Sequence, residues 1–300
     1  MSEALAVVAA AAGGGVVLRA LGRRREPHAE MSPDGRRYLA MAAGRPAPFP
    51  FALRWLLPAL CSTSVRRWRR CTALHLGALP PLVAYWLWVA GDTTAVACVA
   101  GGLMVCGLPG VWRLHLRWPV LVDPAAMAWA LASAVLAQHR LWLPAVAAAL
   151  VAGCIKESAP LFAACFAWHP AALIGLVAPL VRAATTRRGD DVEGDDWILA
   201  HPVLASRRDH RGRWFAPGLM LAPWGMCLLA PAAGVPLALP ILAVTAALAY
   251  AQVLVAVNTV RLYQWAFAPA IAATVAVVPD RLVLAALALH LLNPWAGDGL

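Results

Sequence analysis

Residues 123–182 read DPAAMAWALASAVLAQHRLWLPAVAAALVAGCIKESAPLFAACFAWHPAALIGLVAPLVR, an almost unbroken apolar stretch with Ile155-Lys156-Glu157-Ser158 at its centre. Lys156 is the single lysine of the chain; every other basic side chain is arginine. An ionisable pair inside hydrocarbon is costly unless it is paired or lines a polar cavity, so Lys156 and Glu157 point to function. Two plainer readings stand beside that one. The pair sits at a membrane boundary and snorkels to water, or the two side chains neutralise one another for packing. Pro160 close behind them marks a candidate helix end.

Working outward, 62% of the 300 residues are hydrophobic and only 13% are charged, and mean hydropathy is +0.68. A soluble domain is nearer half apolar and a quarter charged. The runs are continuously apolar rather than alternating, which favours helices over a β-barrel. The fold class expected is therefore all-α, a polytopic transmembrane bundle of about nine to ten hydrophobic segments forming one integral membrane domain over 1–300. Residues 4–21 form a weak first span interrupted by Gly13-Gly14-Gly15, read as an uncleaved helix because no basic stretch precedes it. A polar loop follows over 23–50. FALRWLLPALC, 51–61, is too short to span and is expected to lie in the interface. Arg66, Arg67, Arg69 and Arg70, with Trp68 among them, are expected to anchor the next span at the headgroups. Further spans are expected near 72–90, 93–111, 119–137, 141–155, 159–182, 214–233, 236–256, 262–278 and 281–293, with a second polar loop at 183–213.

The net charge of +10 comes from arginine clusters outside the apolar runs. Such clusters hold anionic lipid or a phosphate-bearing substrate, or they only fix orientation; nucleic acid is not needed to explain them. The seven cysteines are scattered without a C-x-x-C pair and mostly within apolar runs, as small buried hydrophobes are. His75, His169 and His290 lie in or beside spans and are too scattered for a metal cluster.

The first loop carries the densest polar chemistry. Glu30 and Asp34 stand four residues apart, followed by Arg36, Arg37 and Tyr38, with Arg45 and Arg54 beyond. A carboxylate there can accept a proton from an attacking hydroxyl while guanidinium groups hold a phosphate leaving group. The competing reading is a solvated loop in which Pro33-Asp34-Gly35 is a turn.

The order Asp34-Gly35-x-x-Tyr38-x-x-Met41-Ala42-x-Gly44, then Pro48-Phe49-x-x-x-Leu53-Arg54-x-Leu56-x-Pro58, resembles the first-loop signature of GT-C-type membrane glycosyltransferases. Those proteins commonly read D-G-x-x-Y, then G-x-x-x-P-F-x-x-R-x-L-x-P. Asp123 opening a span, with Lys156-Glu157 and Pro160 further on, is similar to a second pattern of that group. Asn258-Thr259-x-Arg261 with Pro269 is similar to a third, although Asn258 stands where relatives carry an acid. His290-x-x-Asn293-Pro294 is a candidate fourth. The resemblance implies a multi-pass protein of a bacterial plasma membrane, in contact with membrane lipid, that transfers sugar from a polyprenyl-phosphate carrier to a cell-envelope acceptor. It implies Asp34 as general base with Glu30 beside it, and Arg54, Arg36 or Arg37 on the lipid phosphate. Tyr38, Asp123, Lys156, Glu157 and Arg261 would line the substrate cavity. Some members use a divalent metal ion, for which His28, Glu30 and Asp34 carry suitable donors, although no spacing demands one.

The transferase reading expects Asp34 and Lys156 to face one aqueous chamber roofed by arginines. It also places the first loop outside the cell, whereas the distribution of Arg23, Arg24, Arg25, Arg36 and Arg37 places that loop in the cytoplasm. A transporter or flippase for a lipid-linked or anionic solute, with Lys156, Glu157, Asp123 and Arg261 along its path, and a non-catalytic scaffold are the alternative readings.

Overall fold

The computed structural model describes residues 8–16, 32–47, 50–91, 93–186, 222–233, 238–253 and 264–293. All regular structure among them is helical. Residues 8–16 form α1. Pro33–Ala42 is α2, Leu56–Cys61 α3, Val65–Ala90 α4, Ala95–Met104 α5 and Leu114–Arg117 α6. Asp123–Gln138 is α7, Trp142–Ile155 α8, Ala159–Ala167 α9 and Val177–Thr185 α10. Ala238–Val253 is α11, Phe267–Val277 α12 and Asp280–Leu291 α13.

The centre of the bundle is α7, which packs against α4, α8 and α9. Its sequence has little amphipathic character, and residues on all its faces are buried, as a helix apolar all round requires. Ala126, Ala130 and Ala134 on it are fully buried, and small side chains of this kind let neighbouring helices approach closely. Ser133 on α7 donates its hydroxyl to the Ala145 carbonyl of α8 at 2.8 Å. The next contact is closer still. A Cβ at Gly153 would lie 2.3 Å from the Gly175 carbonyl oxygen, so backbone meets backbone there.

The long helix α4 contains Pro80 and Pro81, each lacking the N–H that would close a turn of the ladder. The carbonyl four residues before Pro80 is that of Leu76, and it accepts instead from the indole N–H of Trp112 at 2.9 Å. Trp112 sits in a π-turn, Pro109–Arg113, that breaks the following segment. There the pair Ala95–Gly107 and Pro109–Arg117 bends by 66°.

These breaks change the expected pattern of spans. Among the described residues, α4 alone is long and apolar enough to cross a bilayer unaided, and the bent pair is the second candidate. The expected span 141–155 is the shorter helix α8. The expected span 159–182 is interrupted between α9 and α10 by a 3-10 segment, Pro170–Leu176. The first polar loop is not all loop: Pro33–Ala42 is a helix, started by Ser32, whose hydroxyl accepts from the Gly35 N–H at 3.0 Å. Residues 51–61 do not form one interfacial helix either. They divide into a 3-10 turn, Phe51–Leu53, and α3, and Phe51, Leu53, Leu57 and Cys61 are buried. Trp68 is fully buried rather than a headgroup anchor, whereas Arg66, Arg67, Arg69 and Arg70 around it are exposed as expected. Most of the second polar loop lies outside the described residues.

Candidate functional site

Helix α8 ends at Lys156, whose backbone is extended, with φ −152° and ψ 127°. Successive side chains on extended backbone point to opposite sides. Lys156 and Glu157 therefore diverge, and each makes its ion pair with a residue elsewhere in the chain. The Lys156 ammonium donates to Asp123 Oδ1 at 2.5 Å, with both side chains 2% exposed, so it does not snorkel to water. Asp123 opens α7, where the helix N-terminus favours an anion, and the indole ring of Trp265 lies 5.0 Å from the ammonium.

Glu157 is gripped by Arg54. Its two carboxylate oxygens accept from Nε at 2.7 Å and from a terminal nitrogen at 2.6 Å, the paired geometry guanidinium and carboxylate favour. The other terminal nitrogen of Arg54 donates to the Tyr38 hydroxyl at 3.0 Å. Arg54 is thus buried and engaged, and it is not available for a lipid phosphate as the sequence suggested.

Tyr38, on α2 outside the apolar segments, stacks on Trp68 at 5.9 Å between centroids and tilts against Phe51 at 5.5 Å. Burial pushes its hydroxyl pKa up; Arg54 pulls it down, and the carboxylates of Asp34 and Asp123 push it up further. The phenol therefore stays protonated between two acidic groups. Phe51 also carries the guanidinium groups of Arg37 and Arg54 at 4.8 and 5.0 Å. Sequence reading placed the aromatic of this motif at Phe49, which lies outside the described residues. Pro50-Phe51-x-x-Arg54-x-Leu56-x-Pro58 keeps the P-F-x-x-R-x-L-x-P interval, and that spacing was the signal for Phe51.

Asp34 follows Pro33 in the first turn of α2 and lies 3.8 Å from Arg37, with its side chain 20% exposed. A helix N-terminus is a favourable place for negative charge. Arg36 is exposed on the same helix. Glu30, Arg261, His28, Asn258 and Thr259 lie outside the described residues. Of the three suggested metal donors only Asp34 is described, and no three His, Cys, Asp or Glu side chains converge on a metal position among the described residues.

Among the described residues, the cleft found does not join Asp34 to Lys156 as the expected chamber would. A cleft of about 470 Å³ lies instead between the C-terminal end of α2, α3 and α10. Its lining includes Arg45, Arg182, Ala47, Trp55, Pro58 and Ser62, and neither Asp34 nor Lys156. Among the described residues no acidic side chain lines it, and no carboxylate pairs with Arg45 or Arg182. Arg182 is fixed by its Nε, which donates to the Ala52 carbonyl at 3.3 Å. Ser62 on the cleft wall has φ 53° and ψ −157°, a conformation otherwise left to glycine. Arg45 stood out in the sequence as part of the first-loop cluster. Arg182 did not, because it closes an apolar run like an ordinary flanking charge.

His290 serves packing. Its Nδ1 accepts from the Met226 N–H at 3.2 Å and its Nε2 donates to the Met104 carbonyl at 2.8 Å, an arrangement that assigns the Nε2-protonated neutral ring. Arg113 donates to the Leu291 and Asn293 carbonyls at 2.7 and 2.6 Å and so closes the end of α13.

The site is thus two neighbouring features: a largely buried network of two ion pairs with Tyr38, and an open cleft with two arginines. No family model, curated protein or solved structure matches the chain.

Proposed function

We propose that the chain is a polytopic membrane protein of bacterial plasma membrane type that acts as a GT-C-like glycosyltransferase on a polyprenyl-phosphate-linked sugar. One observation carries the reading: Arg54 of the first-loop motif bonds both Tyr38 and Glu157, and Asp123 meets Lys156. Stretches that the resemblance rests on, and that lie far apart in the sequence, therefore share one buried polar network. Exposed apolar side chains support the membrane setting, among them Leu74 at 70%, Leu143 at 85% and Leu180 at 66%. Short broken helices suit it too, because backbone freed at a break is tolerated at membrane depth when it is buried in protein.

In this reading the carrier phosphate binds Arg45 and Arg182 in the cleft. Trp55, Ala47 and Pro58 give it an apolar wall for the start of the lipid chain. Asp34 accepts the proton of the acceptor hydroxyl, the hydroxyl oxygen bonds to the anomeric carbon, and the phosphate leaves with the electron pair of the broken bond. Asp34 lies about 10 Å of helix axis from Met41 at the cleft rim, an interval for an arginine arm and one sugar ring to bridge. The largely buried network ties α2, α7 and the end of α8 together. In the full-length protein in nanodiscs, given polyprenyl-phosphate-linked hexose and pentose donors, Asp34→Asn is expected to lose at least a hundredfold in transfer without losing thermal stability. Undiminished transfer by that variant removes Asp34 as the base.

A second reading, a non-catalytic scaffold that binds the lipid phosphate, draws on the absence of Asp34 from the cleft lining. Saturable binding of farnesyl phosphate with no transfer from any donor would favour it.

A further inference from the structure

The helices run between two ends of the bundle, and the two ends carry very different charge. At one end α7 begins beside the end of α8, where Asp123 holds Lys156. The Thr72 hydroxyl near the start of α4 donates to the Pro119 carbonyl there at 2.6 Å, and the end of α10 arrives with Arg182 on the Ala52 carbonyl. At the other end the Tyr85 hydroxyl, in the last turns of α4, lies 2.9 Å from Nε2 of His139 just after α7. Trp142 at the start of α8 meets His169 after α9 at 4.4 Å between ring centroids. The Thr94 hydroxyl before α5 donates to Asp280 at the start of α13 at 3.1 Å. Helix α4 joins the two ends, and its 26 residues measure about 39 Å of axis, the thickness of a bilayer with its headgroups. Trp55 is exposed at the first end and Trp142 and Trp168 at the second, the two levels at which interfacial tryptophans sit.

The first end is crowned with arginine. Arg66, Arg67, Arg69 and Arg70 are exposed over the first two turns of α4, whose first turn holds no acidic residue. Arg36, Arg45 and Arg182 belong to the same end. The carboxylates there, Asp34, Asp123 and Glu157, each face a basic partner. Among the described residues the second end carries Arg140 and Arg281, the latter next to Asp280 in the chain. Arginine in short loops is retained on the cytoplasmic side of a bacterial plasma membrane, and the anionic lipid of that leaflet attracts it. We propose that the arginine end, and with it the cleft between α2, α3 and α10, is seated in the cytoplasmic leaflet, with Trp142 and Trp168 at the opposite face. The orientation rests on the membrane setting alone; its consequence for the substrate rests on the transferase reading. The cleft takes its lipid phosphate from the leaflet that faces soluble sugar nucleotides. The reaction that supplies the substrate is then sugar transfer to a polyprenyl phosphate on that same face. A phosphate oxygen of the lipid bonds to the anomeric carbon, and the nucleoside diphosphate leaves with the electron pair of the broken bond. No translocation across the bilayer comes between the two reactions. This placement of the first loop is the reverse of the one the resemblance implies.

The test expresses the full chain in a bacterial host and treats right-side-out spheroplasts and inverted membrane vesicles with a membrane-impermeant maleimide. Arg69→Cys and Ala59→Cys probe the arginine end, and Arg140→Cys and Arg281→Cys the other; all four positions are exposed. Labelled positions are located by peptide mass and fragmentation, with the wild-type protein giving the background of the native thiols. Arg140→Cys and Arg281→Cys are expected to react about tenfold faster in spheroplasts, and Arg69→Cys and Ala59→Cys about tenfold faster in inverted vesicles. Ala59 lines the cleft, so farnesyl phosphate is expected to slow the labelling of Ala59→Cys in inverted vesicles about fivefold, and farnesol to leave it unchanged. The opposite sidedness, equal labelling from both faces, or a position closed to both overturns the orientation. The expected sidedness without protection by farnesyl phosphate overturns the cleft as the place where lipid phosphate enters. Undiminished transfer by Asp34→Asn would remove the assigned base and leave the labelling pattern as it is, so the two readings fail separately.

Discussion

Arg54 and Glu157, 103 residues apart, are joined by two short hydrogen bonds that clamp the turn after α8 to the segment between α2 and α3. The guanidinium is the more deeply buried partner, with its side chain 10% exposed against 26% for the carboxylate. Removing either group leaves the other charge inside protein. Arg54→Met and Glu157→Met are each expected to destabilise the protein by about 3 kcal/mol. Arg54→Met with Glu157→Met is expected to recover part of that loss. Thermal unfolding in detergent across this double-mutant cycle gives the coupling, and additive losses would contradict it.

Lys156 and Asp123 invite the same comparison at a drier position. Lys156→Met alone strands the Asp123 carboxylate at the start of α7 and is expected to cost about 3–5 kcal/mol. Adding Asp123→Asn restores a neutral site and is expected to return the protein to near wild-type stability. A double variant as unstable as the single one would show that the pair does more than cancel charge.

Replacing Trp112 with Phe keeps an aromatic ring and removes the donor to the Leu76 carbonyl. The carbonyl is buried and lacks its usual partner because of Pro80, so the expected loss is about 1–3 kcal/mol. Amide exchange in α4 around Leu76 should rise in the same variant, while α13 keeps its protection.

Gly153→Ala puts a methyl group where the Gly175 carbonyl now lies 2.3 Å away. The atom in the way is backbone, so α8 and the Pro170–Leu176 segment must separate. Expression and melting temperature are both expected to fall. Gly77→Ala, whose Cβ meets nothing within 4 Å, is the matched control and is expected to be neutral.

Arg182→Gln tests the cleft without touching the ion pairs. Farnesyl phosphate binding is expected to weaken about tenfold, with farnesol binding unaffected. Equal loss for both ligands would show that the guanidinium only shapes the cleft wall.

The helical class was legible from continuous apolar runs, and the break at Lys156 was signalled by Pro160. The partners of Lys156 and Glu157 were not legible. Adjacent residues of opposite charge suggest mutual neutralisation, and only the extended backbone at Lys156 sends the two side chains apart. The burial of Arg54 was hidden because an arginine in a short apolar stretch also suits a membrane interface. The breaks that shorten the helices arise from tertiary packing. Trp112 compensates Pro80 from another segment, and no local propensity records that exchange. Arg182 looked like a flanking charge until α10 folded back against the first loop.

The indole bridging to α4 has an evolutionary corollary. A homologue with an ordinary residue at position 80 would restore its own amide to the carbonyl of residue 76, and the tryptophan at 112 would become dispensable. The two positions should therefore vary together across related chains, and a relative that keeps the imino acid but lacks a donor at 112 should carry a water or another polar group in the same gap.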